Sequence, residues 1–115
     1  NRHRKGMKLQ SDPTVIYAVS VAENFKKPPV KRVLYKHLTT PSPYNTYANV
    51  GIPPGPICVV DKNSVDAVLN AEKNSHIFMC ADPERFGFHK FTASAEEHAV
   101  NAKAYQNWLN SKNIK

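Results

Sequence analysis

Cysteine is scarce in this 115-residue chain: there are two, Cys58 and Cys80. So low a count excludes a disulfide-rich scaffold, and neither residue lies in a CxxC or other zinc spacing. Buried, unbridged thiols are the expected state, since a single bridge needs an oxidising compartment. No apolar run approaches the ~20 residues that a membrane-crossing helix needs. The P-loop, GxGxxG, HExxH and GxSxG patterns are all absent, which removes the common nucleotide, zinc-protease and serine-hydrolase readings. The five histidines, at positions 3, 37, 76, 89 and 98, show no paired metal spacing, so no metal site is expected. No glycine-rich phosphate cradle and no RNA-binding aromatic motif occur, so neither a cofactor nor a nucleic-acid partner is expected. Internal repeats and low-complexity tracts are also missing.

What remains fits one domain with a modest core, since apolar residues make up 41%. The formal net charge of +7 is unevenly placed. Residues 1–36 hold nine Lys or Arg against two acids, Asp12 and Glu23, while residues 37–115 hold seven of each sign. The whole excess therefore sits in the N-terminal third. Such a field keeps a protein soluble, and it also favours anionic partners such as a cell-wall polymer. Asn1 is not a natural start, which points to a fragment or a processed product.

Asn1 to Lys5 reads as the last turn of a helix, with Gly6 just beyond it. Ser11-Asp12-Pro13-Thr14 reads as a helix start, with Asp12 as cap and Pro13 in the first turn. Val15 to Val21 then forms a short apolar helix, residues 24–32 a basic loop, and Val33 to Leu38 is ambiguous. A further helix starts at Asn63 or Ser64, with Val65, Val68 and Leu69 on one face. His76 to Ala81 reads as a strand, and Phe86, Phe88 and Phe91 with His89 and Lys90 read as a second strand, paired with it as a hairpin. Ser94-Ala95-Glu96-Glu97 is a capping box. It opens a last helix running to about Leu109, with Ala95, His98, Ala102, Tyr105 and Leu109 along one stripe. His89 and His98 are placed to approach each other there in structural, hydrogen-bonded roles. Glu96 and Glu97 suit the helix dipole, and Asp82 and Glu84 flank a solvated turn. The expected fold class is α+β: short helices packed on a small, mostly antiparallel sheet, with a long proline-rich loop.

That loop, residues 39–57, is the most distinctive segment. In Gly51-Ile52-Pro53-Pro54-Gly55-Pro56-Ile57 three prolines lock φ and remove donors, while two glycines permit turns. It cannot be helix or central strand. Tyr44-Asn45-Thr46-Tyr47 precedes it, and a rigid loop presenting phenols, an amide and a hydroxyl suits a polar ligand such as a sugar. The plainer alternative is a surface turn with tyrosines packed beneath it. Asp12 lies beside Gln10 and Thr14, which adds a polar cluster to its role as a helix cap.

Taken in order, several blocks resemble the YceG-like family, the endolytic murein transglycosylases called MltG. They are Asn1-Arg2 with Lys5-Gly6-Met7, Leu9 to Tyr17, Pro43 to Tyr47, and Gly51 to Ile57. Ala81-Asp82, His89-Lys90-Phe91 and Glu97-His98 follow. The spacing holds over nearly the whole chain, and the first two blocks are the specific ones. Cys58-Val59-Val60-Asp61 departs from the family's usual Asn-Pro-Gly, and Ala99 from its usual Asn.

The resemblance implies that the chain is the C-terminal part of a YceG-like catalytic domain. It further implies an endolytic lytic transglycosylase that leaves anhydro-muramoyl ends on peptidoglycan. The family glutamate lies upstream of the Asn-Arg motif, so no catalytic acid is expected in this chain. Gln10, Asp12, Thr14, Tyr44, Asn45 and Tyr47 would line the substrate cleft, with Asp12 or Asn45 orienting the reacting groups. The implied partners are glycan strands and cell-wall synthesis proteins. The implied place is the inner membrane, through a single N-terminal span, with the catalytic domain periplasmic. Two other readings stand beside it. One is an aminodeoxychorismate lyase-type enzyme, which needs pyridoxal phosphate on a lysine. The other is a non-catalytic cell-wall binding module.

Overall fold

The computed structural model describes residues 1–115, which divide into two compact units. The first is Arg2–Lys73, and the second is Asn74–Lys115 together with Asn1. The class is α+β, as expected from the sequence.

The first unit opens on a short 3-10 turn, His3–Lys5. Gly6 follows in the left-handed region at φ 67° and closes a helix-ending motif. Gly6 N donates to His3 O at 3.1 Å, and Met7 N joins Lys5 N in donating to Arg2 O, at 3.0 Å, so the carbonyls of the turn are satisfied. The helix end predicted around Lys5-Gly6 is therefore present.

Helix α1 spans Asp12–Ala22. Its N-cap is Ser11 in extended geometry, one residue before the predicted cap, and no side chain accepts a capping hydrogen bond. Asp12 is already in the helix, so its carboxylate points elsewhere. Val15 and Ala18 are the buried apolar residues of this unit. The helix ends as the first turn does: Asn24, at φ 51°, donates to Val21 O, and Phe25 N donates to Ser20 O at 2.8 Å. Asparagine is the side chain that, after glycine, most readily takes this backbone geometry.

The ambiguous stretch 33–38 resolves into the one-turn helix α2, Tyr35–Leu38, which packs on α1. His37 Nδ1 accepts from Leu34 N at 2.9 Å and so closes the start of that turn. Residues 39–57 are turns and bends, as the prolines require. Helix α3 spans Lys62–Leu69, capped by Asp61, whose Oδ1 accepts from Ser64 N at 2.7 Å. The Ser64 bonds hold the Asp61 carboxyl below its ordinary value. The predicted apolar face of α3 is covered by nothing: Val65, Val68 and Leu69 are all exposed. Cys58 is exposed as well, against the expectation of a buried thiol.

The second unit is a hairpin with a helix packed on it. Strands β1 (Phe78–Ala81) and β2 (His89–Thr92) pair antiparallel, with Phe78 opposite Thr92 and Ala81 opposite His89. Alternation sends Phe78 and Cys80 towards helix α4, Ala95–Ser111, and Met79 and Phe91 to the open face. Cys80 is unbridged, and its Sγ lies 3.7 Å from Asn101 O. Leu109 is buried.

The capping box is present in modified form. Ser94 Oγ accepts from Glu97 N at 3.3 Å, but Glu97 does not return to Ser94 N. Thr92 stands between them, accepting from Ser94 N at 3.0 Å and donating to Glu97 Oε2 at 2.7 Å. Glu96 instead accepts from Ser94 Oγ, and its carboxyl is held below its ordinary value, first by its backbone bond and then by Ser94. The expected approach of His89 to His98 gives way to ring stacking. His98 lies on Phe78 with centroids 4.8 Å apart, and its Nδ1 is buried with no hydrogen-bond partner. His89 leans on Phe91.

Candidate functional site

Two sequence blocks far apart in the chain meet in the first unit. They are the start of α1, residues 10–14, and the loop segment 44–47. Their joint is built from two threonines, both buried. Thr14 Oγ1 donates to Ser11 O at 2.6 Å. That uses its one hydrogen, so Thr46 Oγ1 donates across the 2.8 Å contact between the hydroxyls. Thr46 Oγ1 in turn accepts from Ser11 N at 2.9 Å, and Thr46 O accepts from Gln10 N at 3.3 Å. The loop thus supplies hydrogen bonds at a helix N-terminus, where backbone N–H groups lack partners, and takes the place of a capping side chain.

Asn45 is fully buried. Its Nδ2 donates to Leu38 O and Thr40 O, both at 2.9 Å, and its Oδ1 accepts from Tyr47 N at 2.9 Å. Three bonds tie the side chain to the loop's own backbone. Asn45 therefore shapes the loop from inside, and it reaches any cleft only through Thr46 and Tyr47. Tyr44 is half-buried, tilted on Tyr17 of α1 with ring centroids 4.9 Å apart. Its hydroxyl lies 3.3 Å from where a Cβ on Gly55 would stand, which makes glycine the residue that lets the proline run pass.

The solvent side of the joint carries the chemistry. Tyr47 donates its hydroxyl to Asp12 Oδ1 at 2.6 Å. Burial first, then the hydrogen bond to Asp12 and its charge, push the phenol well above its ordinary value, while Arg2 pulls the other way. The phenol therefore stays a protonated donor at any physiological pH. Arg2 Nη1 donates to Lys8 O at 2.8 Å and to Gln10 Oε1 at 3.2 Å. Gln10 sits at φ 50°, a conformation uncommon for a side chain of its size. Carboxylate, phenol, guanidinium and amide thus stand in one cluster on a buried hydroxyl floor. Such a cluster can hold and orient polar hydroxyl or amide groups. No group of three or more His, Cys, Asp or Glu is arranged to hold a metal ion.

Of the six residues singled out by sequence, Gln10, Asp12 and Tyr47 reach this surface. Thr14, Tyr44 and Asn45 lie beneath it as support. Thr46, at the centre of the joint, and Arg2, bound to Gln10, were not among the six. A hydroxyl inside a loop carries no periodic signal, and the only hint was that both lie within the family-resembling blocks quoted above.

The model of the YceG-like family matches residues 1–104, which include both blocks. The chain belongs to that family. It is 40% identical over 115 residues to the endolytic murein transglycosylase of Bacillus subtilis (strain 168), covering 100% of this chain and 29% of that protein. The endolytic murein transglycosylase of Streptococcus pneumoniae (strain D39) is 27% identical over 114 residues, covering 93% of this chain and 19% of its own length. A crystal structure of a yceG-like protein from Listeria monocytogenes superposes with a TM-score of 0.72 at 40% identity, over 87% of this chain and 30% of that one. The chain thus spans under a third of the length of these relatives.

Proposed function

We propose that this chain is the C-terminal part of a YceG-like catalytic domain. Its parent is an endolytic lytic transglycosylase that cuts peptidoglycan glycan strands and leaves anhydro-muramoyl ends. The observation that carries the reading is the Asp12–Tyr47 hydrogen bond with Arg2 and Gln10 beside it. Two family-specific blocks converge to build it, in a chain 40% identical to a murein transglycosylase along its full length.

In this chemistry one carboxylic acid protonates the leaving glycosidic oxygen. It then takes the proton of the muramoyl C6 hydroxyl, whose oxygen closes on the anomeric carbon. A single carboxyl serves both steps because the nucleophile belongs to the substrate, unlike the paired carboxylates of glycoside hydrolases. That acid is a glutamate of the parent upstream of this chain. Asp12, fixed by Tyr47, orients it or the muramoyl group. Gln10 and Arg2 bind sugar substituents and stem-peptide carboxylates. Glycan strands are the partner, and the domain works on the outer side of the membrane. No helix here is long and apolar enough to cross a membrane, so an anchor would belong to the rest of the parent. The similarity to murein transglycosylases favours this reading over a pyridoxal-phosphate lyase.

The test is digestion of purified murein sacculi by the parent protein. Mass spectra should show anhydro-muramoyl ends. Spectra containing only reducing, hydrolysed ends would reject the proposal.

A further inference from the structure

The second unit carries a cleft of its own, about 290 Å³ in volume. Phe86, Phe88, Tyr105 and Trp108 line it, with Asp82 and His89 among them. Tyr105 and Trp108 stand three residues apart on one face of α4, their ring planes within 14° and centroids 5.9 Å apart. They form a stacked aromatic pair on a helix whose exposed surface also carries Val100. Phe88 is held by the Arg85 guanidinium, 4.3 Å above its ring. Phe86 is 97% exposed, a large apolar side chain left in water at the cleft edge. Asp82 Oδ1 accepts from Glu84 N at 3.0 Å, which fixes the carboxylate in the hairpin turn.

The chemistry of this lining selects among ligands. A site for an apolar peptide anchor has no use for a carboxylate in its wall. An anionic group would meet the Asp82 charge. A sugar ring has both kinds of surface: one face of axial C–H groups that packs on an aromatic ring, and an edge of hydroxyls that bonds to a carboxylate. The volume sits at the lower end of ligand pockets, about 300 Å³, and leaves room for one ring.

We propose that this cleft is a glycan subsite that seats one N-acetylated hexose ring on Tyr105 and Trp108, with its polar edge on Asp82. The sugar class follows from the lining, while the choice of an N-acetylated hexose rests on the function proposed above.

Trp108 is the chain's one tryptophan, so its emission reports on this cleft alone. Titration of the chain with an N-acetylglucosamine tetramer should give a saturable change in that emission, with Kd in the range of about 0.1–10 mM. Phe86→Ala should weaken binding about three- to tenfold. Its far-ultraviolet circular dichroism should match that of the unsubstituted chain, since Phe86 is almost wholly solvent-exposed. Asp82→Asn should weaken binding as well. No saturable change at about 10 mM tetramer overturns the proposal, and so does an affinity unmoved by Phe86→Ala. This titration reads binding in the cleft and the sacculus digest reads bond cleavage, so either can fail while the other stands.

Discussion

At the scale of single residues, burial separates the side chains that make the site from those that present it. Asn45 has no exposed surface and holds three backbone partners, so its removal strands two carbonyls and one N–H inside the loop. Unsatisfied buried groups cost about 1–3 kcal/mol each, partly relieved by entering water. Asn45→Ala should therefore lower stability by about 2–4 kcal/mol, read as an earlier thermal midpoint of the chain. Asp12 is exposed and caps nothing. Asp12→Ala should leave the midpoint within a few degrees and cut the parent's turnover about a hundredfold, if it orients the reacting group. The reverse pattern, a stable Asn45 variant and an unfolded Asp12 variant, would invert the assignment. Sequence alone grouped both residues as cleft-lining, because it carries no information on which end of a polar side chain is dry. Tyr47 allows a second test. Its phenol is held above its ordinary 10.0 by burial first and Asp12 second. A group with a raised folded value contributes stability that is complete below the unfolded value and is lost as pH rises above it. Unfolding midpoints should thus fall above about pH 10. That fall should shrink in Tyr47→Phe, and phenolate absorbance should show one tyrosine still protonated when the exposed ones have ionised.

At the scale of elements, local rules located most ends, and side-chain relays set the details. The run of prolines required a loop, and the loop is there. The Ser94 box required a helix start, and α4 begins at Ala95. What the box pattern cannot specify is Thr92, which stands two residues before the cap and takes over the return bond to Glu97. Ser94→Ala should cost the second unit about 1 kcal/mol, the usual worth of an N-cap. Thr92→Val, which keeps the β-branched shape but loses both hydroxyl bonds, should cost about 1–3 kcal/mol because Thr92 is buried at 4% exposure. Amide exchange should place the loss at the first turn of α4. An unchanged exchange rate there would mean that the relay contributes nothing. The start of α1 was read one residue late for a similar reason. The N–H of its cap residue Ser11 is served by a loop hydroxyl 35 residues away, and a contact of that range leaves no local mark. The expected histidine pairing failed on the same ground: the stack of His98 on Phe78 depends on which face of β1 meets α4, which only the hairpin register settles.

At the scale of the whole chain, the question is whether these residues suffice for the proposed reaction. The acid must lie within hydrogen-bond reach of the glycosidic oxygen and be protonated when it acts. Asp61 and Glu96 are held below their ordinary values by their capping bonds, which favours the ionised form. Glu97 accepts the Thr92 hydroxyl, and Asp12 accepts the Tyr47 phenol, so both act as acceptors in fixed pairs. Glu23 ends α1, and Glu84 stands in the hairpin turn, each apart from the Asp12–Tyr47 cluster in sequence and role. On and before α3, Val59, Val60, Val65, Val68 and Leu69 are exposed apolar side chains, which favour self-association. Sedimentation of the isolated chain should accordingly show association that grows with concentration, and Val68→Lys with Leu69→Lys should abolish it. The decisive comparison sets the isolated chain beside its parent on the same sacculi. The chain should bind murein and release no anhydro-muramoyl product, while the parent releases it steadily. Robust product from the isolated chain would place the acid within residues 1–115. Asp12 would then be the first residue to substitute, because it is the carboxylate of the cluster with Tyr47, Arg2 and Gln10.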